Sequence, residues 1–123
     1  MAIELSDEGI ISFMQKEIGD SRISKAIVYH DKREIPGGAT IYIGRKPYHI
    51  PFDAQMIFVD NDPMANWGHS CTYFFIPTEG NQFRRHEDTF PPYFGKYPET
   101  WNVILRYGKK PPHSRYFNVY NNK

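Results

Sequence analysis

Cysteine is almost missing from this sequence: Cys71 is the only one in 123 residues. No disulfide can close within the chain, which argues against a small disulfide-stapled secreted domain and makes the reducing cytoplasm the default setting. Long apolar runs are missing too, and nothing approaches the about 20 residues a membrane helix needs. The N-terminal stretch carries Glu4, Asp7 and Glu8 without an uninterrupted apolar segment, so it reads as neither signal peptide nor anchor. Charge of one sign is also lacking: 15 bases against 14 acids leave +1. A strongly basic nucleic-acid coat and an acidic tail are both excluded.

Leucine is scarce, with 2 against 13 isoleucines and 4 valines, while Tyr, Phe and Trp number 9, 9 and 2. Branching at Cβ restricts χ1 in a helix, and branched and ring side chains fit a pleated surface, so the composition favours strands. Scattered Gly and Pro supply the turns.

One helix stands out near the N-terminus. Ser6 is a good N-cap, Asp7 and Glu8 put negative charge at the positive end of the dipole, and Leu5 is placed to staple onto Ile10. Ile10, Met14 and Ile18 form an apolar stripe that Gly19 terminates. After residue 22 the pattern turns to short extended runs: Ile23–His30, Ala39–Ile43, Tyr48–Ile50, Gln55–Asp60, His69–Ile76, Trp101–Tyr107 and Tyr116–Tyr120. Turn signals separate several of them, at Pro36-Gly37-Gly38, Gly44-Arg45-Lys46-Pro47 and Glu79-Gly80-Asn81. Most connections are too short for helical crossovers, which disfavours a parallel sheet. Residues 81–99, rich in Pro and aromatics, read as an irregular loop. The fold class expected is α+β, an N-terminal helix packed on a curled, mainly antiparallel β-sheet, with residues 1–123 as one domain.

The chemistry concentrates between Asp60 and Tyr73. An eight-residue connection, Asn61 to Gly68, joins two apolar runs and carries amides, an acid and an indole before His69. In a strand, His69 and Cys71 share a face, and a thiol near an imidazole can become a nucleophile, with Asp60 or Asp62 orienting the base. This thiol-hydrolase arrangement is the enzymatic alternative. Against it, side chains at i and i+2 sit roughly 6 to 7 Å apart at Cα, and the signatures of cysteine peptidases are absent. His69 and Cys71 alone do not complete a zinc site, and Pro63, Met64 and Ala65 replace the oxygen ligands a calcium loop requires, so no metal is expected. No phosphate-cradling glycine loop occurs, and no cofactor is expected.

The favoured reading is a small binding domain that does no turnover. Its surface combines the Asn61–His69 loop (Asn61, Asn66, Trp67, His69) with Arg84, Arg85 and Tyr93 of the aromatic segment, and its ligand is a protein, a nucleotide or a sugar. A second copy of the chain could cover the same rings. A further alternative follows from charge: residues 100–123 carry +5 and residues 1–99 carry −4, and Arg106, Lys109, Lys110 and Arg115 interleave with aromatics as a single-stranded nucleic-acid binder requires.

Overall fold

The structure, a computed structural model, describes residues 3–66, 68–92 and 97–111. Helix α1 (Asp7–Glu17) begins as its cap signals dictate: Ser6 is extended, and its hydroxyl accepts the Gly9 amide at 3.1 Å. Ile10 and Met14 are fully buried on one face. Gly19, at φ 95°, breaks the helix, and a single turn follows, α2 (Asp20–Ile23). Ile23 therefore closes a helical turn, correcting its expected place at the head of a strand. Its side chain, 3 % exposed, is buried as part of the helix-side core.

Strand β1 (Ile27–Ile35) lies inside the main sheet, and a hairpin follows, β2 (Thr40–Ile43) with β3 (Lys46–His49). Strands β4 (Ala54–Asp60), β5 (Cys71–Pro77), β6 (Arg84–Asp88) and β7 (Trp101–Arg106) complete the elements of the described residues. The main sheet has the order β6-β5-β4-β1-β7, antiparallel throughout. The fold is α+β, as the sequence predicts. Register shifts in the pairing of β1, between Asp31 and Ile35 against β4 and between Val28 and Tyr29 against β7, are irregularities of the kind that bend a strand. Among the described residues the sheet remains open, with β6 and β7 as its edges.

Strand β6 lies inside the segment expected to be an irregular loop. Its sequence, Arg84-Arg85-His86-Glu87-Asp88, has no apolar residue, which is how edge strands avoid pairing with other chains. The expected strand Tyr116–Tyr120 falls outside the described residues.

Both faces of the sheet are covered, so β4 and β5 read as continuous apolar runs without the alternation of a half-exposed strand. On one face, Val28, Ile57, Val59 and Phe74 pack with Ile10, Met14 and Ile23. Helix α1 spans this face. Glu8 meets Lys110, beyond β7, at 2.9 Å, and the Glu17 carbonyl accepts Arg85 Nη1 of β6 at 3.1 Å. On the other face Tyr29, Phe58, Tyr73 and Phe75 lie under the β2–β3 hairpin, where Tyr48 stacks on Phe75 at 5.2 Å, and they share a core with Tyr97 and Trp101.

His30 sits on the helix face at 3 % exposure, its Nε2 bonded to Gln55 Oε1 at 2.7 Å. Burial holds its ring below the usual histidine range, opposed by the Gln55 bond. The unfolded chain takes up this proton near pH 6.5 while the folded chain resists it, so the unfolded state binds more protons and stability falls as pH drops from about 7 toward 5. One such group contributes at most about 1.4 kcal/mol per pH unit. His30→Gln should flatten this slope in urea melts taken across the range; an unchanged slope would clear His30 of the effect.

Candidate functional site

The β4–β5 connection starts from a fixed register. Asp60 and Cys71 are directly opposed Cα partners, and Asp88 of β6 lies beyond Cys71. His69, just before β5, reaches Asp60: Nε2 lies 2.7 Å from Oδ1, with both side chains about nine-tenths buried. Its Nδ1 faces the Asn66 carbonyl at 2.8 Å. Asp60 Oδ1 also accepts the Asp62 amide at 3.1 Å. Burial pushes the Asp60 carboxyl above its ordinary range, against the lowering effect of the His69 bond. The two carboxylates thus separate in role: Asp60 is the buried anchor, and Asp62 is exposed and contributes its amide. Asn66 contributes its backbone carbonyl from an exposed position.

Asn61 belongs to a different network, because the strand period of two turns it to the opposite face. Its Nδ2 donates to Ser70 Oγ and Thr72 Oγ1, each at 3.0 Å, while Oδ1 is buried without a partner among the described residues. Thr72 donates to Glu87 Oε1 at 2.8 Å, Glu87 Oε2 accepts Arg85 Nε at 2.7 Å, and Arg85 continues to the Glu17 carbonyl. Arg85 also lies over the Phe74 ring at 5.4 Å. It ties helix to edge strand, while Arg84, its neighbour on the other side of the pleat, is exposed. The expected convergence of Asn61, His69, Arg84 and Arg85 on one spot is therefore divided by strand parity into two faces. Trp67 and Tyr93 lie outside the described residues.

Cys71 has no exposure. Its Sγ donates to the carbonyls of Asp88 and Phe90 at 3.4 and 3.3 Å. Burial pushes the thiol up to about 12, and the neighbouring carboxylates of Asp88, Asp60 and Glu87 push the same way. A nucleophilic cysteine needs a cationic, accessible setting. Here the imidazole turns to Asp60 and the thiol to backbone, so the His69–Cys71 pairing read from spacing is not formed. The Tyr73 hydroxyl donates a hydrogen bond to the same Phe90 carbonyl at 2.6 Å. Cys71, Tyr73 and the Gly68 amide, which reaches the Thr89 carbonyl at 3.2 Å, together fix residues 88–90 in place.

Those residues form one wall of a cleft of about 520 Å³, whose other wall is Ile43, Gly44, Arg45 and Lys46 of the β2–β3 turn. A second cleft, of about 460 Å³, lies beside β1 and is lined in part by Asp31, Arg33, Ile41 and Tyr42. Asp31 is 2 % exposed and bonded to Arg33 (Nη2 at 2.9 Å) and Thr100 (Oγ1 at 3.0 Å), so its charge is met internally. Neither cleft is lined by Asp60, Asn61, Asp62, Asn66 or His69.

No protein-family model, curated protein or solved structure matches this chain.

One of the C-terminal bases, Lys110, spends its charge within the fold. Lys110 pairs with Glu8, and Arg106 and Lys109 close a tight turn through mutual backbone bonds of 2.8 and 3.1 Å. Arg115 lies outside the described residues. No group of three or more His, Cys, Asp or Glu side chains that could hold a metal occurs among the described residues. No helix among them is long and apolar enough to cross a membrane. Sequence reasoning missed Arg45, Lys46 and Thr89. The available signal was two adjacent cations beside a turn glycine, in a stretch with no acid between Glu34 and Asp53.

Proposed function

We propose that this chain is a small non-enzymatic binding domain whose ligand surface is the cleft between the β2–β3 turn and residues 88–90. The observation that carries this reading is a contrast. Asp60 and His69 of the β4–β5 connection bond to each other and line neither of the two large clefts, while the wall that Cys71 and the Gly68 amide hold in place borders an open one. A cleft of about 520 Å³ falls within the range of roughly 300 to 1,000 Å³ that takes small ligands. A sealed, protonated Cys71 speaks against thiol chemistry and suits a cytoplasmic setting, where thiols stay reduced.

The test is an amide NMR screen of the folded, full chain against a chemically mixed fragment library. Hits should shift the signals of residues 43–46 and 88–90 together. Hits that move only the Asp31–Arg33 region, or none that move the 43–46 and 88–90 signals, would refute the assignment.

A further inference from the structure

We infer that this cleft takes a phosphate monoester borne on a small apolar or aromatic body, with Arg45, Lys46 and Thr89 holding the phosphate; the inference rests on the binding role proposed above. It begins with the turn. Ile43 and Lys46 are the closing pair of the β2–β3 hairpin, so only Gly44 and Arg45 form the loop. Gly44 stands at φ 63°, as the first central position of a hairpin turn of the II′ class demands. A two-residue loop on paired strands is stiff, so Arg45 in the loop and Lys46 at the closing pair stand at a defined edge of the cleft.

Those cations are unspent. The side chains of Arg45 and Lys46 form no ion pair or hydrogen bond among the described residues. The acid across the cleft, Asp88, is already engaged: Oδ2 meets His86 Nε2 at 2.8 Å and Oδ1 accepts the Thr89 amide at 2.7 Å. Two cations thus face one occupied carboxylate. Thr89, exposed beside them, adds a hydroxyl donor with no bond of its own among the described residues. In the other large cleft the guanidinium of Arg33 is already paired with Asp31, so the two clefts differ in the charge they offer.

Three donors of different shape favour a particular anion. A guanidinium fork, a point-charge ammonium and a hydroxyl together match the three terminal oxygens and near-double charge of a phosphate monoester. A carboxylate offers only two oxygens and one charge. Apart from Asp88, the remaining lining residues are Ile43, Gly44 and Phe90. Ile43 is 2 % exposed, and a Cβ at Gly44 would fall 3.2 Å from Cδ2 of the Phe90 ring, so the missing side chain brings that ring against the turn. Phe90 keeps 39 % of its surface exposed. The body of the ligand therefore meets carbon where its phosphate meets nitrogen.

Three probes separate the parts of this claim: adenosine 5′-monophosphate, inorganic phosphate and adenosine, each titrated into the isotope-labelled full chain. The monophosphate should saturate at millimolar concentration or below and shift residues 43–46 and 88–90. Inorganic phosphate should bind the same residues about tenfold more weakly, and adenosine should leave them unmoved at the same concentration. The Arg45→Ala/Lys46→Ala double variant alters only exposed side chains, so its amide spectrum should stay folded while monophosphate affinity drops by at least about tenfold. Arg84→Ala, an exposed cation away from the cleft lining, should bind as the parent does. Adenosine binding as well as its monophosphate, phosphate alone matching the monophosphate, no saturation by the monophosphate, or a double variant with parental affinity would each overturn the inference. Library hits that map to the cleft without a phosphate would leave the binding role standing and sink only the ligand class.

Discussion

Replacing Phe58 with alanine is expected to cost about 3 to 5 kcal/mol, the range for deleting a buried ring from a close-packed core. The ring has no exposure and stands at the junction of four other described rings: Tyr29 at 6.0 Å, Tyr73 at 5.0 Å, Trp101 at 5.7 Å and Tyr97 at 6.3 Å. These neighbours come from β1, β5, β7 and the segment before β7, so no single element can move in to fill the space. Their rings are themselves large and held by one another, as where Tyr97 stacks on Trp101 at 4.5 Å. Domains of this size hold only about 5 to 15 kcal/mol in all, so the variant should sit near the edge of folding. In urea its midpoint should fall sharply with little change in slope, whereas Phe58→Leu, which keeps most of the volume, should lose less than half as much. Phe13 provides the comparison on the helix face: it is partly buried and meets Phe74 and Phe83 edge-on at 5.3 and 4.9 Å, so its loss should cost less. A deficit under about 1 kcal/mol for Phe58→Ala would mean that the core lies elsewhere.

The elements most legible in the sequence are those whose signals are local. Ser6, Asp7 and Glu8 mark the start of α1 within a few residues of its true bound, because a helix cap is a contact between neighbours in the chain. The central strands announce themselves because both faces are buried and every residue of β5, from Cys71 to Pro77, is apolar or is Thr72. Strand β6 gives no such sign. It borders the sheet, its side chains face water or ion partners, and only the pairing of Arg84–Asp88 with β5 makes it a strand. Site residues follow the same division. That Asp60, Asn61 and His69 lie near one another is visible from spacing; that Asn61 faces away from the other two depends on which side of the pleat each occupies. The cleft is less visible still, since Arg45 and Thr89 are brought together only when the hairpin folds over the sheet. Tyr48 marks that closure by packing on His86 at 4.7 Å.

His69→Ala tests what the Asp60–His69 contact is for, and the expected result is a stability loss of about 2 to 3 kcal/mol. Removing the imidazole strips Asp60 of its partner at 2.7 Å and leaves the Asp62 amide at 3.1 Å as its remaining bonded donor in the connection. The figure lies at or below the low end for breaking a buried pair, because both side chains keep about a tenth of their surface in contact with solvent and water can enter the space left behind. His69→Gln, whose amide can still donate toward Asp60, should recover part of the loss. The pH dependence carries a definite sign. Burial already raises the Asp60 carboxyl, and without His69 it rises further. A carboxyl raised in the folded state binds protons that the unfolded chain releases, so its penalty is present at neutral pH and fades as pH falls through the raised value. The deficit of His69→Ala relative to the parent should therefore shrink as pH falls from neutrality through that raised value toward the ordinary carboxylate range. Alkylation of Cys71 is the companion measurement. A His69 that served as the base of a thiolate would leave stability nearly intact when removed and would slow labelling of the folded chain. A His69 that pins the β4–β5 connection lowers stability and, by loosening the wall at residues 88–90, makes the sealed thiol easier to label.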